Sequence, residues 1–155
     1  MTQEDIITAL ENSEFFKGLD RKDIERVAGL CRIQNFETAE TVFQQGDFGE
    51  YIFIISEGHV YLERAIDLET RKGRVVIETL GRGRVMGCWS TLLGKPHIMM
   101  STAVCRKPSR MILIKGQDLR NLMLENTSFG FNVMERFCSL MRDRVEAAYG
   151  AFERI

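Results

Sequence analysis

Gly81, Gly83 and Gly87 fall within seven residues and lead into Cys88, Trp89 and Ser90. Such clustering marks a backbone that turns sharply or comes close to something. Where a strand passes through a glycine turn into a short helix, the free amide N–H groups at the helix start can cradle an anion. The stretch 80–104, LGRGRVMGCWSTLLGKPHIMMSTAV, has this form: glycine turn, apolar run at 89–93, proline loop, β-like segment. The candidate ligand-binding residues are Gly81, Gly83, Met86, Gly87, Cys88, Trp89, Ser90, His97, Met100, Ser101 and Thr102. Other chemistries find little material. Cys31, Cys88, Cys105 and Cys138 form no CxxC pair, and His59 and His97 are too far apart for a metal pair, so free thiols and no metal are expected. No G-x-S-x-G or comparable nucleophile–base motif occurs, so the chain is not expected to be an enzyme.

A length of 155 residues, 45% hydrophobic and 28% charged, suits one globular domain spanning 1–155. A net charge of −1 gives no electrostatic ground for a direct nucleic-acid partner. The basic group Arg71, Lys72 and Arg74 reads as a solvated hairpin tip. No run of 18 apolar residues exists and the N-terminus is polar and acidic, so no membrane partner is expected and the location read from the sequence is cytoplasmic.

Three regions must position the glycine stretch. Residues 1–32 read as two short helices, with Thr2 and Asp20 as N-caps and Ile24, Val27, Ala28 and Cys31 on one stripe of the second. Residues 33–115 contain short β-rich runs at 41–45, 51–56, 59–65, 74–80, 101–106 and 111–115, separated by glycine and proline breaks. That spacing predicts an antiparallel sandwich or barrel. Residues 116–155 read as a helix over 116–125, then a long helix capped by Thr127 and Ser128. In the long helix Phe131, Cys138, Val145 and Phe152 fall seven apart, as do Met134, Met141, Ala148 and Ile155. This is an a/d seam, narrower than the face a helix usually turns to its own core. It predicts a two-fold homodimer built on the helix; the competing reading folds the helix back over its own β-domain.

Four motifs then stand in order: Phe16-x-Gly18-Leu19, Val42-Phe43-x-Gln45-Gly46-Asp47, Tyr51-Ile52-Phe53-Ile54-Ile55-x-x-Gly58-x-Val60, and Leu80-Gly81-x-Gly83-x-x-x-Gly87. With the long helix they resemble the cyclic nucleotide-binding domain family, in particular the effector domain of catabolite activator protein and related bacterial regulators. The resemblance covers nearly the whole chain. It implies an α+β fold: an antiparallel double-stranded β-helix, a jelly-roll-like β-roll, flanked by N-terminal helices and a long C-terminal dimerisation helix.

The resemblance also implies a phosphate-binding cassette of the form F-G-E-x-A-L followed by R-x-A-T/S-V. Aligned on Gly87 and Val104, the glutamate that accepts from the ribose hydroxyl falls at Cys88, and the arginine that pairs with the cyclic phosphate falls at Met100. Loss of two charge-assisted contacts weakens cyclic nucleotide binding by roughly two to four orders of magnitude. His97 is the alternative occupant of the arginine position, and it reaches less far. The expected function is therefore a ligand-sensing or regulatory module that does not take cAMP in the standard way; the alternative is a cAMP or cGMP sensor with a non-standard cassette. Met86, Trp89, Met99 and Met100 would line an apolar replacement pocket, against the plainer reading of Trp89 as core. A lone Cys88 and His97 are too little to hold haem, and no cofactor is expected. The chain ends within the seam, so no DNA-binding domain is expected, and any effect on transcription would pass through a protein partner.

Overall fold

β4 (Tyr51–Glu57) and β10 (Ser109–Lys115) pair antiparallel at the centre of the fold, each buried on both faces. A strand covered on both sides needs apolar residues without alternation, which is why both read as continuous runs, YIFII and MILI. The computed structural model describes residues 1–70, 72–87, 89–95 and 97–154, so Arg71, Cys88, Pro96 and Ile155 lie outside the described residues. The first sheet runs β1 (Cys31–Phe36), β10, β4, β7 (Val85–Gly87); the second runs β2 (Thr41–Phe43), β9 (Thr102–Cys105), β5 (Val60–Asp67), β6 (Lys72–Leu80). A two-residue pair, β3 (Phe48–Gly49) with β8 (His97–Ile98), closes one end. All these pairings are antiparallel, and the two four-stranded sheets face each other as a jelly-roll-like β-roll.

Alternation along β4 and β10 divides the apolar interior in two. Ile52, Ile54, Ile112 and Ile114 point to the helices and join Leu10, Phe15, Phe16, Ile24, Leu119, Phe129 and Val133. Phe53, Ile55, Met111 and Leu113 point into the roll and join Val60, Leu62, Leu80, Met86 and Ala103. Each fully buried aliphatic side chain contributes about 1.5–3 kcal/mol.

The helices follow their sequence signals with local departures. α1 (Gln3–Glu11) begins with a reciprocal capping box, in which the Asp5 amide donates to Thr2 Oγ1 (3.1 Å) and the Thr2 amide donates to Asp5 Oδ2 (2.8 Å). α2 (Arg21–Ala28) has Asp20 at its cap position without a side-chain cap bond. Cys31 does not continue the α2 stripe. The helix stops at Gly29, and Cys31 opens β1, so the β-region starts two residues before the expected 33. Its thiol donates to Val27 O (3.2 Å), and burial pushes its pKa up to about 12; burial raises the Cys105 thiol as well. Both are inert packing groups.

α3 (Gly116–Glu125) occupies the expected span, and α4 (Thr127–Glu153) follows after one residue. The cap of α4 is Asn126, whose Oδ1 accepts from the Phe129 amide (3.2 Å), rather than Thr127 or Ser128. α4 buries Phe129, Gly130, Val133, Leu140 and Ala151 against its own domain, and Arg154 Nη2 donates to Val76 O on β6 (3.3 Å). The helix thus does fold back over its own β-roll. Of the proposed seam, Phe131, Cys138, Val145 and Phe152 stay exposed, at 68% for Phe131, whereas Met134, Met141 and Ala148 are half-buried. Met134 packs on the helical core.

Candidate functional site

Gly87 starts the site. It ends β7 opposite Ile52 with φ of 135°, and a Cβ there would lie 2.5 Å from Tyr51 O. Only glycine lets the chain leave the sheet so close to β4. The next described element is a five-residue 3-10 helix, Trp89–Leu93, the short helix expected at 89–93. Arg120 Nη1 pins it by donating to Leu92 O (2.6 Å), and Gly116 leaves room for Thr91. Trp89 stacks on Phe15 with ring centres 6.3 Å apart and meets Phe137 at 5.7 Å. It also lines a cavity.

This cavity has a volume of about 310 Å³ and lies between the second sheet and α4. The β-roll supplies Phe43, Leu62, Ile77, Met86 and Gly87; the cassette supplies Trp89, Met100 and Ser101. α4 supplies Met141, Val145, Ala148 and Phe152, four residues the seven-residue spacing assigns to the seam. Arg64 and Arg144 are the charged residues of the lining, and no Asp or Glu is among the described lining residues. Arg64, exposed on β5, donates from Nη1 to Met100 O (2.5 Å). A guanidinium from β5 therefore stands beside Met100.

Arg144 holds α4 down. Its Nη1 donates to Glu78 (3.2 Å), and its Nη2 donates to Glu14 (3.1 Å) and to Val85 O. Arg84 bridges the same two carboxylates, at 2.9 Å to Glu14 and 2.7 Å to Glu78. The Arg144 side chain is only 12% exposed, and its Nε is buried without a hydrogen-bond partner. Two arginines and two glutamates thus close a ring joining the segment after α1, β6, the turn before β7, and α4.

The remaining candidates sit elsewhere. Gly83, with φ of 83°, approaches the Asn12 carbonyl in a separate polar groove of about 380 Å³ beside α1, lined also by Asp5, Arg82 and Arg110. Gly81 lies near the His59 ring and Ser90 within the 3-10 helix; neither lines the cavity. The turn at Gly83 serves contact with α1. His97 is exposed on β8 with its Nδ1 3.3 Å from Ile98 O, away from the cavity. Thr102 Oγ1 accepts from the Gln45 amide (2.9 Å) on the far side of the second sheet. Met99 turns into a neighbouring hollow with Val42, Phe48 and Tyr51, because consecutive residues point to opposite sides. The Cys88 candidate lies outside the described residues. Phe43, Leu62, Arg64, Ile77 and Arg144 also line the cavity, and residue spacing does not single them out. Phe43 and Leu62 carried only a strand signal, and the two arginines looked like ordinary surface charge. Among the described residues no group of three or more His, Cys, Asp or Glu could hold a metal ion, and no helix is long and apolar enough to cross a membrane.

Comparison with known proteins gives the same architecture a family. The sequence model described as "Cyclic nucleotide-binding domain" matches residues 33–126. A curated relative, a cGMP-dependent protein kinase of Plasmodium berghei (strain Anka), is 27% identical over 128 residues, which is 75% of this chain and 14% of the kinase. The chain therefore spans about a seventh of that protein, at 14% of its length. Among solved structures, a cyclic nucleotide-binding domain from Methylobacillus flagellatus KT superposes with a TM-score of 0.78 at 18% identity, over 96% of this chain and 80% of its own. Catabolite activator protein of Thermus thermophilus gives a TM-score of 0.72 at 20% identity, over 91% of this chain and 62% of its own. Identity at that level shows the shared fold.

Proposed function

This chain belongs to the cyclic nucleotide-binding domain family, and we propose that it is a ligand-sensing regulatory module whose cavity does not take a cyclic nucleotide in the standard way. One observation carries the reading: Met141, Val145, Ala148 and Phe152 of α4 form a wall of the cavity. A ligand there touches the helix directly, and its differential affinity for two helix positions sets how far the balance between them shifts. The lining supports a non-nucleotide ligand, because Met100 offers no charge and no described lining residue offers a carboxylate to a ribose hydroxyl. Isothermal titration with cAMP and cGMP is expected to show no micromolar binding; micromolar binding of either overturns the reading.

The second reading, a cAMP or cGMP sensor with a non-standard cassette, is favoured by Arg64, which brings a cation to Met100 O. Under either reading the chain acts by binding rather than catalysis, as a single domain with no direct nucleic-acid contact. Homodimerisation through the exposed a-positions Phe131, Cys138, Val145 and Phe152 completes the proposal, because an apolar row seven residues apart is self-complementary across a two-fold axis. Glu at both 141 and 145 should give a monomer in ultracentrifugation; an unchanged dimer would assign the contact to another face.

A further inference from the structure

The cavity's charges are unevenly balanced. Arg144 is matched: Glu14 and Glu78 are each shared between it and Arg84, so that ring is neutral overall. Arg64 is different. Among the described residues it pairs with no carboxylate; it is exposed, donates from Nη1 to Met100 O and lines the cavity. The lining as a whole therefore offers one unbalanced positive charge. Its walls are apolar, formed by Leu62, Ile77, Met86, Trp89 and Phe152 among others.

A neutral hydrocarbon would strip water from Arg64 without recompense. A dianion would bring more charge than the single free guanidinium can match. A monoanion with an apolar body meets both conditions: a carboxylate binds a guanidinium through paired N–H donors, while its hydrocarbon fills the methionine and aromatic walls. At about 30 Å³ per non-hydrogen atom, the liquid-water share, 310 Å³ holds roughly ten such atoms. Resting on the non-nucleotide reading above, the geometry points to a medium-chain or aryl monocarboxylate as the ligand class of this cavity, with Arg64 as its charge partner.

Trp89 is the only tryptophan of the chain and lines the cavity, so its fluorescence reports occupancy without a label. Titration of the full chain with octanoate, which has the estimated size, is compared with 1-octanol, octylamine and cAMP, each on the wild type and on Arg64→Gln. Arg64 lies exposed on a strand, so the variant is expected to melt like the parent. Octanoate should bind about ten- to a hundredfold more tightly than 1-octanol, and octylamine least tightly. Arg64→Gln should erase the preference for octanoate and leave 1-octanol unchanged. Equal affinity for octanoate and 1-octanol, or a preference that survives Arg64→Gln, overturns the carboxylate assignment and leaves the non-nucleotide reading standing. Absence of octanoate binding at millimolar concentration overturns it too. cAMP binding more tightly than octanoate overturns both.

Discussion

The two four-stranded sheets of the roll have opposite surroundings. The sheet β1-β10-β4-β7 is sealed by helices on one face and by the roll interior on the other, and its central strands contribute Ile52, Ile54, Ile112 and Ile114 to one side and Phe53, Ile55, Met111 and Leu113 to the other. The sheet β2-β9-β5-β6 is buried only inward. β6 is largely exposed before Leu80, and α4 lies across the cavity from this sheet, held by polar bonds from Arg144 and Arg154. The difference teaches where stability and response reside. Dense apolar packing on two faces cannot shift without large loss, whereas a cover pinned by a few polar contacts over a cavity can move at modest cost.

Measurements on variants test that contrast. The largest effect belongs to the sealed sheet: Ile54→Ala or Ile112→Ala should cost about 2–4 kcal/mol in urea unfolding, whereas Val76→Ala on half-exposed β6 should stay within about 0.5 kcal/mol. Equal losses would erase the distinction. Gly87→Ala comes next, at about 2–3 kcal/mol, because it combines a disfavoured φ with a Cβ 2.5 Å from Tyr51 O. A neutral result would mean that β7 can shift away from β4.

Arg144→Met should cost about 1–2 kcal/mol globally, less than loss of a fully buried ion pair, since Arg84 still bridges both glutamates. Its distinguishing sign is local: amide exchange over residues 141–153 should quicken while β4 and β10 stay protected. Uniform quickening would deny the cover its independence. The effect that is smallest at neutral pH concerns Cys31. Its folded pKa is raised from 9.0 to about 12, so the unfolded chain gives up the proton first as pH rises. That stabilisation is complete below pH 9 and is lost on the way to about 12, with a slope of at most about 1.4 kcal/mol per pH unit. Cys31→Ala should remove that part of the alkaline decline; an unchanged decline would assign it to other groups.

Legibility follows the same division. β4, β5, β6, β10, α3 and the long α4 were readable because burial leaves a periodic or unbroken apolar record. β3, β7 and β8, two or three residues each, are too short to carry a period, and Cys31 misled because it continues a helical stripe that Gly29 cuts. In the site, Met86, Gly87, Trp89, Met100 and Ser101 came from one contiguous stretch and could be read together. Arg64 and Arg144 came from distant elements, and their roles depend on which strand lies beside which. No spacing along one chain records that. The seam residues show a further limit. A seven-residue repeat marks one face of a helix but does not say what lies against it, and here part of the face meets the chain's own cavity.

That shared face binds two events together. Met141 and Ala148 look partly inward to the cavity, while Val145 and Phe152, one step around the same helix, touch its rim and open to the outside. Any molecule that draws this strip inward withdraws it from a neighbour, and any neighbour that grips it reshapes the room within. Linkage then requires one factor in both directions: a companion helix that alters the hold on a small guest tenfold must itself be held ten times more or less firmly when that guest is present.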